Sequence, residues 1–209
     1  MEYQKQVDKT HYSFKKYFYP GRWTSYWHQV HEISSRKEIR SVLDIGPGTV
    51  FLRDVLKNCC PEIEYKTLDI AEDVKPDIIG GVTKIPCKDN TFDCVSAFQV
   101  LEHIHFDDFE VALTEMKRVS KKYVFISLPH FGPPLQLQLK IPFLRVIKCS
   151  IKIPYPKKHV FAGQHYWEIG KRGYSPKTIR KIMQKHFKII DEYIPFENQY
   201  HHFYILENT

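Results

Sequence analysis

Two hydrophobic periods alternate along this chain, and the switches between them mark out its elements. Short apolar runs fall at Ser41–Ile45, Ile63–Asp69, Ile78–Ile79, Phe92–Phe98 and Lys122–Leu128. Their length and composition are those of buried strands. Between them the period becomes helical, over 50–57 and again over 107–120, where Phe109, Ala112, Leu113 and Met116 fall at i, i+3, i+4 and i+7. Ser175-Pro176 reads as a helix start, serine as N-cap and proline as the first helical residue, with Ile179, Ile182, Met183 and Phe187 as its apolar side. Phe187–Ile194 and Tyr200–Leu206, joined by a turn around Pro195-Phe196-Glu197-Asn198, predict a closing hairpin. Strands alternating with helices argue for a parallel sheet covered on both faces, with ligands bound at the carboxyl ends of the strands.

Two segments carry a different pattern. Tyr12, Phe14, Tyr17, Phe18, Tyr19, Trp23, Tyr26 and Trp27 crowd the N-terminal stretch, and Trp23, Tyr26, Trp27 and Val30 share helical spacing. The spacing predicts a helix packed by that stripe on the sheet. Between Pro142 and Lys152, Arg145, Lys148 and Lys152 repeat at i, i+3 and i+7 beside Leu144, Ile147 and Ile151. That pattern suits a basic amphipathic helix, either lying on an anionic membrane or capping a pocket for an anionic or lipid-linked acceptor. Charge solvated over a packed apolar side fits as well.

Charge sharpens this division. The chain has 209 residues, 43% of them hydrophobic, and a formal charge of +7. Residues 129–174 hold eight Lys and Arg but one acid, Glu168, so they carry the whole excess. The rest is neutral: one balanced body, expected to be a single domain over 1–209, with a basic insert. No apolar run reaches the roughly 18 residues a membrane span needs. The first residues, Met1 to Tyr12, are too polar for a signal peptide. Five cysteines, two of them adjacent and none in a C-x-x-C pair, point to a reducing compartment and give no zinc pattern. We expect a cytoplasmic protein, at most peripheral to a membrane, with no metal.

The chemistry gathers at Val42-Leu43-Asp44-Ile45-Gly46-Pro47-Gly48-Thr49-Val50. An apolar strand ends in an acid, a turn tight enough to need glycine follows, and a helix begins over it. A second acid, Asp69, closes the next strand 25 residues after Asp44, where a doubly wound sheet holds ribose hydroxyls. A dinucleotide site usually reads G-x-G-x-x-G, with phosphates on the helix N-terminus. Here the third glycine is missing, and Asp44 would repel a pyrophosphate. It suits a ligand bearing an ammonium group.

The run resembles the first motif of class I S-adenosylmethionine-dependent methyltransferases, in the style of the type-11 branch, with Val50 where a third glycine is common. The likeness continues in order through Ile85-Pro86…Phe92-Asp93-Cys94-Val95, Gln99-Val100-Leu101-Glu102-His103-Ile104 and Tyr123–Pro129. It implies a Rossmann-like, seven-stranded, mostly parallel sheet with an antiparallel C-terminal hairpin. To this are added an N-terminal helical lid (1–40) and a basic cap insert (130–174) between the fifth strand and the last helix. The implied cofactor is S-adenosylmethionine, left as S-adenosylhomocysteine. Asp44 would organise its methionine end, Gly46 and Gly48 would lie against it, and Asp69 would accept the ribose hydroxyls. Ile70 would contact adenine, with backbone near Val82 replacing the acid that often reads the adenine amine, and Gln99 would face the transfer site. As general base for a hydroxyl acceptor, His130 is favoured, followed by His103 and His165. Glu102 reads as a structural acid near a helix start, and His201 and His202 as an alternating pair with one member turned from the core.

The implied reaction is methyl transfer to a small-molecule or lipid- or glycan-linked acceptor. The alternatives are an RNA methyltransferase, which the basic insert allows, and a donor-binding subunit without catalysis. The Asp/Asn-Pro-Pro-aromatic turn of base-amine methylation is absent at Ala97-Phe98-Gln99-Val100, so a nucleic-acid partner is not expected.

Overall fold

The computed structural model describes residues 14–209; Tyr12 and the polar start of the chain lie outside the described residues. In chain order the elements are α1 (Phe14–Tyr17), α2 (Pro20–Ser34), β1 (Ser41–Ile45), α3 (Phe51–Cys59), β2 (Glu64–Asp69), β3 (Ile78–Ile79) and β4 (Phe92–Phe98). Then follow α4 (Phe109–Val119), β5 (Ser120–Pro129), β6 (Pro134–Leu139), β7 (Ile147–Lys152), α5 (Pro176–Met183), β8 (Phe187–Tyr193) and β9 (His201–Asn208).

Seven strands form one sheet in the order β3-β2-β1-β4-β5-β9-β8. β9 runs antiparallel to both neighbours, β5 and β8, and the pairings from β3 to β5 are parallel. The chain leaves β1 toward β2 and β3, then returns to β4 on β1's other side. The carboxyl ends of β1 and β4 therefore diverge into a crevice, where such sheets bind ligands.

Each face of the sheet has its own core. On one, Leu52 and Leu56 of α3 and Ile33 of α2 pack on Val42, Tyr65, Cys94, Phe125 and Ile205. On the other, Phe109, Leu113 and Met116 of α4 and Ile179 and Met183 of α5 pack on Leu43, Val95, Val124 and Leu206. α5 begins as expected, with Ser175 Oγ accepting from Thr178 N at 3.1 Å and Pro176 in the first turn.

Three expectations need correction. α2 is a helix, but only half of its expected stripe turns inward: Tyr26 is buried and Val30 packs partly on the core, while Trp23 and Trp27 are 42% and 59% exposed. Ser25, Gln29, Glu32 and Ile33 complete its buried side. Ser25 and Glu32 have partners, since Asn198 donates to Ser25 Oγ at 2.9 Å and Tyr193 and Arg36 both donate to Glu32 at 2.8 Å. A satisfied polar group can be buried at little cost, so the helix is rotated from the position its aromatics suggest.

The basic segment from Pro142 is not a helix. It forms the tip and second strand of the β6–β7 hairpin, with Leu135 opposite Ile151, Leu137 opposite Cys149 and Leu139 opposite Ile147. The overlooked signal is Leu135-Gln136-Leu137-Gln138-Leu139, an apolar–polar alternation of period two that supplies a strand partner. Finally, both His201 and His202 are buried, because β9 lies inside a sheet covered on both faces.

Candidate functional site

A cleft of about 460 Å³ opens at the carboxyl ends of β1, β2 and β4, lined by Ile45, Gly46, Leu68, Asp69, Ile70, Gly80, Gly81, Val82, Val100, His103 and Ile104. No described lining residue is a Lys or Arg. Gly46 has φ +64, and a Cβ there would sit 2.7 Å from Val100 Cγ2. The turn thus needs glycine twice, for its backbone and for the close passage of the segment after β4. Asp69 reaches the rim from the end of β2, and its Oδ1 accepts from Ala71 N at 2.8 Å. Ile70, 39% exposed, faces into the cleft with the buried Val82.

Asp44 lies beside this cleft, in a smaller space shared with Gly46, Pro47, Phe98 and, from the N-terminal helices, Tyr17, Arg22, Tyr26 and Gln29. Tyr65 and Ser96 each donate to a different Asp44 oxygen. Burial nonetheless outweighs these donors and pushes its pKa up to about 6, with the charge of Asp69 adding to the rise. α2 covers this corner, where Tyr26 shares a hydrogen bond of 2.9 Å with Thr49 and packs 4.7 Å from the Phe51 ring.

Gly48 faces a separate hollow with Thr49, Val50 and Asp73. Gln99, at φ +59, turns toward β5, where its amide donates to Ser127 Oγ at 3.2 Å, and it is absent from the cleft lining. Val50 has φ +52 at the start of α3. Its replacement of a third glycine therefore strains the backbone more than it affects packing.

The three histidines separate. His130, the favoured base, lines a different cavity of about 650 Å³ with Phe131, Lys152, Tyr155 and Gly170. Its Nδ1 lies 3.0 Å from His202 Nδ1. Burial first, then the neighbouring His202 and Lys152, hold its pKa down to about 3, so at neutral pH it is a weak base turned from the cleft. His103 lines the cleft, and His165 meets it edge-on with ring centroids 5.0 Å apart. The segment that carries His165 is tied here by Tyr166 N donating to Glu102 O at 2.8 Å and by the burial of Trp167 against Phe106 and Phe109.

Sequence reasoning undervalued Glu102. It is fully buried, and neither carboxylate oxygen has a hydrogen-bond partner among the described residues. Burial pushes its pKa up to about 7 against the lowering pull of His165. The available signal was a carboxylate set in the apolar run Val100-Leu101-Glu102-His103-Ile104. Glu168, from the insert, accepts from Tyr200 at 2.7 Å and from His165 at 2.9 Å.

Residues 43–127 match the family model of a methyltransferase domain of type 11. No curated protein sequence matches the chain. Solved structures share its fold at low identity. An S-adenosylmethionine-dependent methyltransferase from Aquifex aeolicus aligns with TM-score 0.61 and 16% identity over 97% of this chain and 100% of that one. The 1,6-didemethyltoxoflavin-N1-methyltransferase of Burkholderia thailandensis, solved with bound 1,6-didemethyltoxoflavin and S-adenosylhomocysteine, aligns with TM-score 0.58 and 14% identity over 96% of this chain and 88% of that one. A small RNA methyltransferase aligns with TM-score 0.63 and 10% identity, over 92% of this chain and 26% of that one.

Proposed function

We propose that the chain, whose residues 43–127 match the model of a methyltransferase domain, is a class I S-adenosylmethionine-dependent methyltransferase of the type-11 kind and methylates a small-molecule or lipid-linked acceptor from a donor held in the cleft of β1, β2 and β4. The observation that carries this reading is the lining of that cleft: apolar, without a described cation, with glycine backbone at one strand end and the Asp69 carboxylate at the next. Adenine fits between Ile70 and Val82, the ribose hydroxyls reach Asp69, and the methionine part passes Gly46 toward Asp44. The Asp44 carboxylate suits an ammonium, with Arg22 in the same corner for the methionine carboxylate, whereas no Lys or Arg lines the cleft itself to hold a pyrophosphate. The S-adenosylhomocysteine held by the Burkholderia neighbour supports the same choice.

The β6–β7 hairpin supports a lipid-linked acceptor at an anionic membrane surface. Its polar face is turned to the body, with Lys148 on Glu197, Ser150 on Gln199 at 2.6 Å and Gln136 on the Phe196 carbonyl. Leu135, Leu137, Leu139, Ile147 and Ile151 on the opposite face are all between 48% and 67% exposed. At the tip, Phe143 and Leu144 project between Lys140 and Arg145. Exposed apolar surface flanked by cations is the make-up of an interfacial anchor. All five cysteines are free thiols, which fits a cytoplasmic location.

Titration with S-adenosylhomocysteine tests the donor reading. Asp69→Ala should weaken binding about 10- to 100-fold, since hydrogen bonds to a charged group contribute roughly 1.5–3 kcal/mol. Unchanged affinity in a folded Asp69→Ala protein would end this assignment.

A further inference from the structure

We propose that Glu102, His103 and His165 bind a divalent first-row transition metal ion beside the donor cleft, through one Glu102 oxygen and Nε2 of each histidine.

One ligand atom from each residue lies within 4.8 Å of the others, and His103 Nε2 is 4.0 Å from Glu102 Oε1. A tetrahedral ion bonded at roughly 2.0–2.1 Å brings its ligands to about 3.4 Å from one another. Each group must therefore move by only about an ångström, within the reach of small side-chain rotations. Two independent observations support a metal here over a chance meeting of three polar groups. The first is Glu102 itself, a wholly buried carboxylate with no hydrogen-bond donor to either oxygen among the described residues. Buried carboxylates are normally paired or bonded to metal, and this one is aimed at the two imidazoles.

The second is the support behind each histidine. His103 Nδ1 lies 3.1 Å from the Gln164 carbonyl, and His165 Nδ1 lies 2.9 Å from Glu168. Both partners only accept, so each Nδ1 carries a proton and Nε2 is the nitrogen of each ring that would ligate. Glu168 is held in turn by Tyr200. A carboxylate or carbonyl behind each ligating imidazole is the usual second layer of a metal centre, fixing tautomer and ring orientation. Two imidazoles and one carboxylate suit Zn²⁺, Mn²⁺, Fe²⁺ or Co²⁺ better than the all-oxygen shells of Mg²⁺ and Ca²⁺.

Three protein ligands leave coordination positions open, and His103 borders the cleft. On the donor reading above, an acceptor hydroxyl occupies an open position and loses its proton to solvent more readily. Its oxygen lone pair then attacks the sulfonium methyl, and the carbon–sulfur bonding pair returns to sulfur. The metal would fill the role that His130 is placed too far from the cleft to perform.

The test is titration of untagged, chelator-stripped protein with Co²⁺, followed by its visible absorption, and with Zn²⁺ by calorimetry. One equivalent should bind per chain. Glu102→Gln and His165→Ala should weaken binding by at least tenfold, and Glu168→Gln, which alters only the support, by about tenfold. Circular dichroism melts establish that each variant is folded, and Glu168→Gln keeps the test open if a ligand variant is not. Absence of binding to wild-type protein at about 1 mM Co²⁺ would overturn the proposal, as would wild-type affinity in folded Glu102→Gln and His165→Ala. S-adenosylhomocysteine titrated into the same samples separates the two readings. Metal uptake without donor-product binding would remove the donor assignment and leave the metal site standing.

Discussion

The seven-stranded sheet and the β6–β7 hairpin are built from the same residue types in the same extended conformation, and they treat those residues in opposite ways. Leu43, Val95, Val124 and Leu206 are wholly buried under α4 and α5. Leu135, Leu137, Leu139, Ile147 and Ile151 line up on a single face that no described residue covers, while the polar face of the hairpin meets the protein body. The difference shows that alternation fixes which side chains share a face, but not which layer covers that face. A parallel strand brings its own cover, because its crossover connection is a helix. A two-stranded insert brings none.

The largest expected effect breaks this comparison most directly. Phe109→Ala, deep in the α4 core, should cost about 3–5 kcal/mol, read as a lower midpoint in urea. Phe143→Ala at the hairpin tip should change stability by no more than about 0.5 kcal/mol. Phe143→Ala combined with Leu144→Ala should, however, reduce co-sedimentation with vesicles containing an anionic phospholipid. If the tip variants destabilise the protein as much as the core variant, the apolar face is covered in solution and the membrane reading is lost.

The same contrast explains what could be read from the sequence. The cleft of β1 and β2 was legible because its elements are local and repeat a strict order: an acid-tipped strand, a glycine turn, a helix, a second acid-tipped strand. Asp69, Ile70, Val82 and Gly46 meet at one cleft as that order requires. The cluster of Glu102, His103 and His165 depends on contacts distant in sequence. Glu102 and His165 are brought together by a loop tied back through Tyr166 N and the burial of Trp167, and no periodicity encodes that tie. His130 was favoured because it directly follows β5, yet strand position says nothing of side-chain direction, and its ring packs 5.1 Å from that of His202. α2 was misoriented for a related reason. Ser25 and Glu32 take partners from far along the chain, Asn198 and Tyr193, so their burial is invisible to a hydrophobic pattern.

A medium effect follows from Asp44, which sharpens the contrast because the hairpin has no comparable buried acid. In the free protein its pKa is raised by burial from the ordinary 3.8 to about 6, with Tyr65 and Ser96 donating to it and Asp69 nearby. A raised carboxyl pKa means that the stability this group contributes is present below about pH 4 and lost as the pH rises through about 6. An ammonium-bearing ligand reverses the preference and favours the ionised form. Affinity for S-adenosylhomocysteine should therefore be full above about pH 7 and fall as the pH drops through 6, by up to about tenfold per unit. Asp44→Asn should flatten that slope. A dissociation constant independent of pH between 5 and 8 in wild-type protein would separate Asp44 from the ligand's ammonium.

The smallest effect concerns Val50, the one departure within the glycine motif. Its backbone is left-handed, φ 52° and ψ 12°, at the N-cap of α3, and a β-branched side chain is among the worst occupants of that region. Left-handed backbone costs an ordinary residue roughly 1–2 kcal/mol. Glycine would remove this strain but give back about 0.5–1 kcal/mol through the greater freedom of the unfolded chain. The balance for Val50→Gly is a gain of about 0.5–1 kcal/mol, measured as a higher urea midpoint with an unchanged slope. Donor-product affinity should stay within about twofold, since Val50 faces the hollow of Gly48 and Asp73 and not the cleft of Asp69. A loss of stability above about 1 kcal/mol would show that the Val50 side chain contributes more by packing than its backbone costs. The missing glycine would then be an adaptation of this helix start and not a tolerated strain.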